Sequence, residues 1–484
     1  MNKRMIVHMT GQIIRLESIL LLLPLIVAFI YGESNCYLAY ILTSGISFAV
    51  GSLTVMYSNP ESKVIYAPEG FVITALSWVS LSLIGALPFV ISGDIPSYTD
   101  AVFETVSGFT TTGASILTNV EALSHASLFW RSFTHFIGGM GVLVLMIAIL
   151  PSSSARSIHI LKAEVPGPTM GKLVPKLRST AALLYIIYIA LTLLQIIFLL
   201  FGGMPLYDSI IHAFGTAGTG GFGIKSDSIG GYSPYLQWVI TIFMLIFGVN
   251  FNVYYLILIR KFRSIIHSQE LWTYIGIVIT SVVLVTVNIY SKFHDFGEAL
   301  RHAAFQVSSI ITTTGYATTD FDLWPDFSKN ILFILMFIGG CAGSTAGGLK
   351  VSRIVLLFKQ VKRSFNSMLH PRSVKAIRMD EKTVESTTLQ NVNIYFALYM
   401  ICLALIILLL GLENFSFETN FSAAVACFNN VGPGFSSVGP AYSYAGYSIG
   451  GKWLLSLAML LGRLEIYPII LATLVFFSQR KYKA

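Results

Sequence analysis

A chain of 484 residues that is 55% hydrophobic and 11% charged, with a mean hydropathy of +0.73, lies outside the balance of a soluble domain. Its formal charge of +8 is no nucleic-acid signature, because the basic residues are sorted along the chain in the way membrane topology sorts them. Four scattered cysteines, Cys36, Cys341, Cys402 and Cys427, make neither a metal spacing nor a disulfide framework.

Apolar runs long enough to span a bilayer fall at 12–32, 37–57, 69–93, 126–150, 179–202, 234–259, 271–291, 329–357, 388–411 and 450–478. The expectation is an all-α polytopic membrane protein of ten spans. The first run, "SILLLLPLIVAFIYG" after Lys3 and Arg4, also has the look of a secretory leader. Glu17 before that core, the lack of a small-residue cleavage site and the spans that follow favour a retained helix. With both termini placed inside, the inner segments hold 24 Lys and Arg and the outer ones 6. That asymmetry satisfies the positive-inside rule. The outer segments also hold 14 of the 23 acids, read either as a cation-attracting vestibule or as solvated helix caps.

After two leading spans the chain repeats one unit four times: a long apolar helix, a hydrophilic interlude with a short helical run, and a second long helix. The unit boundaries are 67–165, 166–268, 269–385 and 386–484, after an N-terminal pair at 1–66. The interludes align on "SGFTTTGAS" at Gly113, "GTAGTGGFG" at Gly220, "IITTTGYAT" at Gly315 and "FNNVGPGFS" at Gly432, separated by 107, 95 and 117 residues. Asp100, Asp208, Glu298 and Glu418 open the short runs, where negative charge meets unsatisfied amides. These runs are too short to cross, so they dip in and return as re-entrant loops.

Non-helical backbone at membrane depth needs its polar groups satisfied, and encircling a dehydrated cation does this. Glycine lets successive carbonyls aim one way, while threonine hydroxyls pack or coordinate around them. No Asp or Glu lies within three residues of any of the four glycines, which favours a monovalent cation over a divalent one.

Together with these loops, the glycine-broken "GGCAGSTAGGLK" of the third unit and "GRLEIYP" of the fourth resemble the Trk/Ktr/HKT superfamily of potassium transporters, most closely its bacterial TrkH branch. The resemblance covers nearly the whole chain. It implies four fused helix–pore loop–helix repeats around a pseudo-fourfold pore, potassium as the ion and no organic cofactor. The selectivity filter it implies comprises Thr110, Thr111, Thr112 and Gly113; Thr219, Gly220 and Gly221; Thr312, Thr313, Thr314 and Gly315; and Asn430, Val431 and Gly432. Potassium would sit at Thr111, Thr112, Gly113, Gly220, Thr313, Thr314, Val431 and Gly432. A serine at the first glycine accompanies sodium transport in related plant proteins, so Gly113 favours potassium. The second and fourth loops lack the triple threonine, so only approximate symmetry is expected. Family members are homodimers in the bacterial inner membrane and dock a cytosolic, TrkA-like nucleotide-binding regulatory subunit. Segments 151–178 and 350–382 are either its docking surface or positive-inside topology alone.

The stretch 339–348 holds five glycines among ten residues and cannot be a strong helix. By the resemblance it is an intramembrane gate, with Gly340, Gly343, Ser344, Thr345, Gly347 and Gly348; the other reading is a small-residue packing seam. Gly138, Gly139, Gly141 and Gly248 read as packing positions or kinks. Arg463, inside a hydrophobic span, needs partners. Glu465 lies on another helical face, which leaves carbonyls of the 339–348 loop or a buried acid. "GTGGFG" (218–223) has no strand before it and "GSTAGGLK" lacks the Walker lysine, so neither is a nucleotide site. The sequons at Asn414 and Asn420 are short enough to arise by chance. His135 and His302 read as satisfied or solvated, and with no nucleophile–base pair or metal cluster an enzyme is excluded. The rival function is a proton- or sodium-coupled potassium symporter, or a less selective monovalent cation transporter.

Overall fold

The computed structural model describes residues 2–60, 65–141, 177–293, 295–372, 375–380 and 382–478. Among them the architecture is helical, apart from a hairpin of β1 (Arg378–Met379) and β2 (Lys382–Thr383). Helices α1 (Lys3–Leu20) and α2 (Leu22–Tyr31) form one apolar run of 29 residues that returns as α3 (Ser34–Ser58). α1 and α3 cross at two glycines: a Cβ on Gly51 would come within 2.8 Å of the Gly11 carbonyl oxygen and 2.9 Å of the Arg15 amide nitrogen. Small residues permit that approach where lipid supplies no hydrophobic drive.

The first repeat follows as α4 (Ala67–Gly85), α5 (Leu87–Ser92), α6 (Tyr98–Phe109) and α7 (His125–Met140), and the second as α8 (Leu177–Phe201), α9 (Leu206–Ala217), α10 (Pro234–Phe247) and α11 (Phe251–Leu258). A short α12 (Phe262–Ile266) leads to the third: α13 (Gln269–Phe293), α14 (Phe296–Ile311), α15 (Asp326–Ile338) and α16 (Val351–Leu369). The fourth is α17 (Ser386–Leu410), α18 (Phe417–Phe428), α19 (Ile449–Arg463) and α20 (Tyr467–Ser478). The short helices α6, α9, α14 and α18 carry Asp100, Asp208, Glu298 and Glu418 in their first turns, as the sequence indicates. Side chains of Ser97, Asp295 and Ser416 cap three of them.

Ten uninterrupted spans are not what forms. Six helices among the described residues are long and apolar enough to cross a membrane, and none is the second long helix of a repeat. α10 and α11 bend by 89° across Gly248–Asn250, and α19 and α20 by 112° across Leu464–Ile466. α15 and α16 are parted by residues 339–350; α7 ends at Met140, and the rest of the expected span 126–150 lies outside the described residues. Sequence reading assigned a broken loop to the third unit and left Gly248 of the second as a packing position or a kink. The breaks of the second and fourth units have local causes: the Asn250 side chain accepts the Asn252 amide to begin α11, and Glu465 and Ile466 take left-handed φ of 55° and 67°. Backbone groups freed by the second break are met by the third, because Gly248 O accepts the Cys341 amide (2.9 Å) and Gly343 O accepts the Phe251 amide (3.1 Å).

The α1–α3 crossing yields a test. Gly51→Val drives methyl groups into backbone that cannot yield, and should lower stability by about 1–3 kcal/mol, read as an earlier thermal midpoint of the purified protein. Gly45→Val, on the same helix in open space, should leave the midpoint in place.

Candidate functional site

The four short helices end identically. Amides of Thr110, Thr111 and Thr112 bond back to the carbonyls of Val106, Gly108 and Ser107. The same pattern runs from Gly218, Thr219 and Gly220 to Phe214, Thr216 and Gly215, from Thr312, Thr313 and Thr314 to Ser308, Ile310 and Ser309, and from Asn429, Asn430 and Val431 to Val425, Cys427 and Ala426. Such a cap needs a left-handed residue. Here it is Thr111 (φ 54°), Thr219 (54°), Thr313 (56°) and Asn430 (57°). Asparagine tolerates that region, but a β-branched threonine is strained there by roughly 1–3 kcal/mol and is held only where its surroundings dictate it.

Two residues on, each loop has a glycine with positive φ: Gly113 (80°), Gly221 (75°), Gly315 (84°) and Gly432 (97°). The register of the second loop therefore shifts by one from the alignment on Gly220. Gly221 is the counterpart of Gly113, while Gly220 stands with Thr112, Thr314 and Val431. Two adjacent glycines left the choice open in sequence, and backbone angles decide it. Gly220 is small for another reason, since a Cβ there would enter the His135 ring.

The glycines interlock around a ring. A Cβ on Gly113 would overlap the Gly220 carbonyl oxygen, one on Gly221 that of Thr314, one on Gly315 that of Val431, and one on Gly432 would come 2.5 Å from that of Thr112. The order runs from the first repeat through the fourth and back to the first, so the ring closes. All four glycines line one cavity of about 270 Å³ that forms its mouth. No carboxylate is among its lining residues, which include Arg131 and Lys225. Among the described residues no donor meets the carbonyls of Thr111, Thr112, Thr219, Gly220, Thr313, Thr314, Asn430 or Val431, all buried. Buried carbonyls without donors cost several kcal/mol each unless something electropositive sits among them.

The threonine hydroxyls have separate tasks. Thr110 and Thr312 donate to the carbonyls of Val106 and Ser308 (both 2.7 Å) and pair with Thr112 and Thr314 (both 2.8 Å), so they brace the loops. Thr112 also accepts Asn430 Nδ2 (3.0 Å), joining the first and fourth loops. Behind the first loop, Glu104 accepts from Ser115 Oγ (2.9 Å), the Ile116 amide (3.1 Å) and Arg131 Nε (2.5 Å). Arg131 donates onward to Gly223 O (3.0 Å) and lies over the Phe222 ring. Tyr316 Oη donates to Phe222 O (3.1 Å), tying the third loop to the second. Glu104 and Arg131 are positioning residues that sequence reading missed; their i-to-partner separation of 27 residues leaves no local signal.

The 339–350 segment packs directly under the ring. Gly339, Gly343 and Gly348 take φ of 71–73°, so the segment is a folded loop and not a helix seam. Gly347 N donates to Thr313 Oγ1 (2.6 Å) and Gly348 N to Asn429 O (3.1 Å). Thr345 Oγ1 donates to Phe247 O (3.3 Å), and Ser344 Oγ to Cys341 O (2.6 Å). A Cβ on Gly340 would come 2.7 Å from that of Ala346 within the loop. Arg463 reaches the loop at Thr345 O (2.7 Å) and, across the molecule, Gly138 O (2.6 Å) and Gly139 O (2.7 Å). These three partners are carbonyls, and Glu465 pairs with Arg353 at 2.6 Å. Gly138 and Gly139 pack as read from sequence, against Phe109 O and Gly218 Cα. Two further residues escaped sequence reading. Glu270 is buried and accepts the amides of Ala342 (2.7 Å) and Ser352 (3.1 Å), clasping both ends of the loop, and buried Lys350 donates to Ala346 O. His135 bonds Gly108 O (2.9 Å) and His302 bonds Thr318 Oγ1 (2.8 Å), so both are structurally engaged.

Comparison with known proteins places these features. Residues 39–484 match the TrkH family model, described as a cation transport protein. The chain is 37% identical to the Trk system potassium uptake protein TrkH of Salmonella typhimurium over 482 residues, 97% of this chain and 98% of that one. It is 35% identical to the Trk system potassium uptake protein TrkG of Escherichia coli K12, covering 98% of each. The crystal structure of the potassium transporter TrkH from Vibrio parahaemolyticus superposes with a TM-score of 0.87 at 31% identity, covering 97% of this chain and 98% of that chain.

The hydroxyl assignments separate two near-isosteric changes. Thr313→Val strands the buried Gly347 amide and should cost about 1–3 kcal/mol in thermal unfolding of the purified protein. Thr111→Val removes a hydroxyl with no partner among the described residues and should leave the midpoint unchanged.

Proposed function

This chain belongs to the TrkH family of cation transport proteins, and on that premise we propose that it takes up potassium through a channel-like pore filtered by the ring of loop carbonyls. The observation that carries the reading is the set of buried carbonyls, two from each loop, that meet no donor among the described residues. A dehydrated cation in the ring replaces the missing donors and trades its water for neutral oxygens. Neutral oxygens with no carboxylate at the mouth suit a monovalent ion. The filter positions are Thr111, Thr112 and Gly113; Thr219, Gly220 and Gly221; Thr313, Thr314 and Gly315; and Asn430, Val431 and Gly432. Thr110 and Thr312 support them. The short helices point their partly negative C-terminal ends at the same ring, adding a favourable field. The unit boundaries at 67–165, 166–268, 269–385 and 386–484, after an N-terminal pair at 1–66, belong to this reading.

Below the filter, the loop 339–350 is the gate. Arg463 holds it to Gly138 and Gly139 at the end of α7, and with buried Lys350 it sets two basic side chains where an ion would leave the ring. Passage requires the loop and Arg463 to part. The excess of basic residues on the face opposite the mouth supports an inward orientation of that face, with the termini cytoplasmic in an inner membrane. The membrane potential then draws cations in by about 2.3 kcal/mol per charge per 100 mV. A homodimer with a TrkA-like nucleotide-binding subunit on the inner face completes the assembly.

Reconstitution in liposomes tests this. A potassium gradient alone should drive uptake, Gly113→Ser should lower the potassium-over-sodium preference, and Arg463→Gln should raise flux about tenfold, equivalent to ~1.4 kcal/mol of barrier. Uptake that requires an imposed proton or sodium gradient would establish the symporter instead. An unchanged preference in Gly113→Ser would sink the filter.

A further inference from the structure

On the face opposite the mouth, α16 leaves the gate loop with Phe358, Phe365, Met368 and Leu369 largely exposed. Beside it lies an open groove of about 870 Å³ whose polar lining includes Gln360, Arg363, Ser364, Ser367, Lys375 and, from α17, Asn393. Asn393 fixes the depth. α17 begins "STTLQNVN" and turns apolar at Ile394 with "IYFALYM", so the groove sits where a headgroup layer meets hydrocarbon. Lys359 marks the same level, donating to Arg378 O (2.6 Å) and to the Gln269 side chain at the start of α13.

The groove is built from donors. A guanidinium, an ammonium and two hydroxyls face it, and no carboxylate is among its lining residues. Neither Arg363 nor Lys375 has an ion pair or hydrogen bond among the described residues. Gln360 is the sharpest indicator. Its Oε1 accepts Asn393 Nδ2 (2.9 Å), while its Nε2 is buried without an acceptor. A buried donor left unmet costs about 1–3 kcal/mol, and a turn of the Gln360 side chain toward the groove would let a phosphate oxygen meet it. Leu357, Val361, Met368 and Pro371 supply an apolar wall that a free anion would not use.

We propose that this groove binds an anionic phospholipid, its phosphate held by Arg363, Lys375 and Gln360 and its acyl chains lying against the exposed apolar side of α16. The charge, the surplus of donors and the depth all match that ligand, and basic residues at a membrane surface attract anionic headgroups. An occupied groove ties α16, and through it the C-terminal end of the gate loop, to the composition of the bilayer.

The full chain in mixed phosphatidylcholine and phosphatidylglycerol nanodiscs, extracted and weighed by native mass spectrometry, tests the site. Phosphatidylglycerol should be retained over phosphatidylcholine, and Arg363→Gln with Lys375→Gln should weaken its retention about thirtyfold, roughly fivefold per basic residue near an anionic surface. Gln360→Leu should weaken it further, while Lys362→Gln with Arg372→Gln, outside the groove lining, should not. Equal retention of the two lipids, an equal loss in the control pair, or displacement by inorganic phosphate alone would overturn the proposal. The last outcome would indicate a free-phosphate site.

Discussion

Each loop glycine lies so close to a carbonyl of the next repeat that a single methyl group would enter it. This contact is made four times around a closed ring, and it leaves backbone facing backbone with no side chain between. Backbone at that distance has few tolerances. The left-handed caps at Thr111, Thr219, Thr313 and Asn430 hold because the four short helices are locked in one arrangement. The broken second helices of the second, third and fourth repeats belong to the same constraint, since a ring at membrane depth must be flanked by irregular chain whose polar groups are satisfied by protein.

The symmetry of the ring is a symmetry of main chain, and the side chains around it differ freely. Nine residues before each glycine stand Glu104, His212, Gln306 and Ala423. Glu104 anchors Arg131 and the first loop, and His212 meets Tyr232 and Tyr316. Gln306 finds no partner among the described residues, and Ala423 can offer none. Fusing four units in one chain permits this, because each wall evolves alone while carbonyl geometry is preserved. The buckles are accordingly unequal: a charged pair behind the first loop, tyrosines behind the second and third, and in the fourth Tyr444 Oη donating to Gly432 O at 2.7 Å.

The ring and the 339–350 loop are mechanically one body. Thr313 contributes its backbone to the ring and its hydroxyl to Gly347, and the carbonyl of Asn429, just before the fourth loop's Asn430, accepts from Gly348. Arg463 ties the loop to the first repeat from below, while Glu270 clasps both ends of the loop. A shift of the loop cannot leave the ring untouched, because close-packed interiors pass strain on.

Much of the fold was legible in sequence. Apolar runs, basic asymmetry and the recurring "TTTG" gave the membrane class, the four repeats and the re-entrant loops, because hydropathy and glycine punctuation are local properties of the chain. The irregular backbone at 339–348 was legible for the same reason. The register at Gly220 and Gly221 was not, since two glycines are equivalent until backbone angles distinguish them. The break at Leu464–Ile466 was hidden inside a run of unbroken hydropathy, and at Gly248 sequence left packing and kink undecided. The pairs Glu104–Arg131 and Arg353–Glu465, the clasp of Glu270 and the reach of Arg463 to Gly138 were also out of view. Glu104–Arg131 and the Glu270 clasp join elements packed within one repeat, while Arg353–Glu465 and Arg463–Gly138 join different repeats; all depend on tertiary packing, which no local pattern encodes.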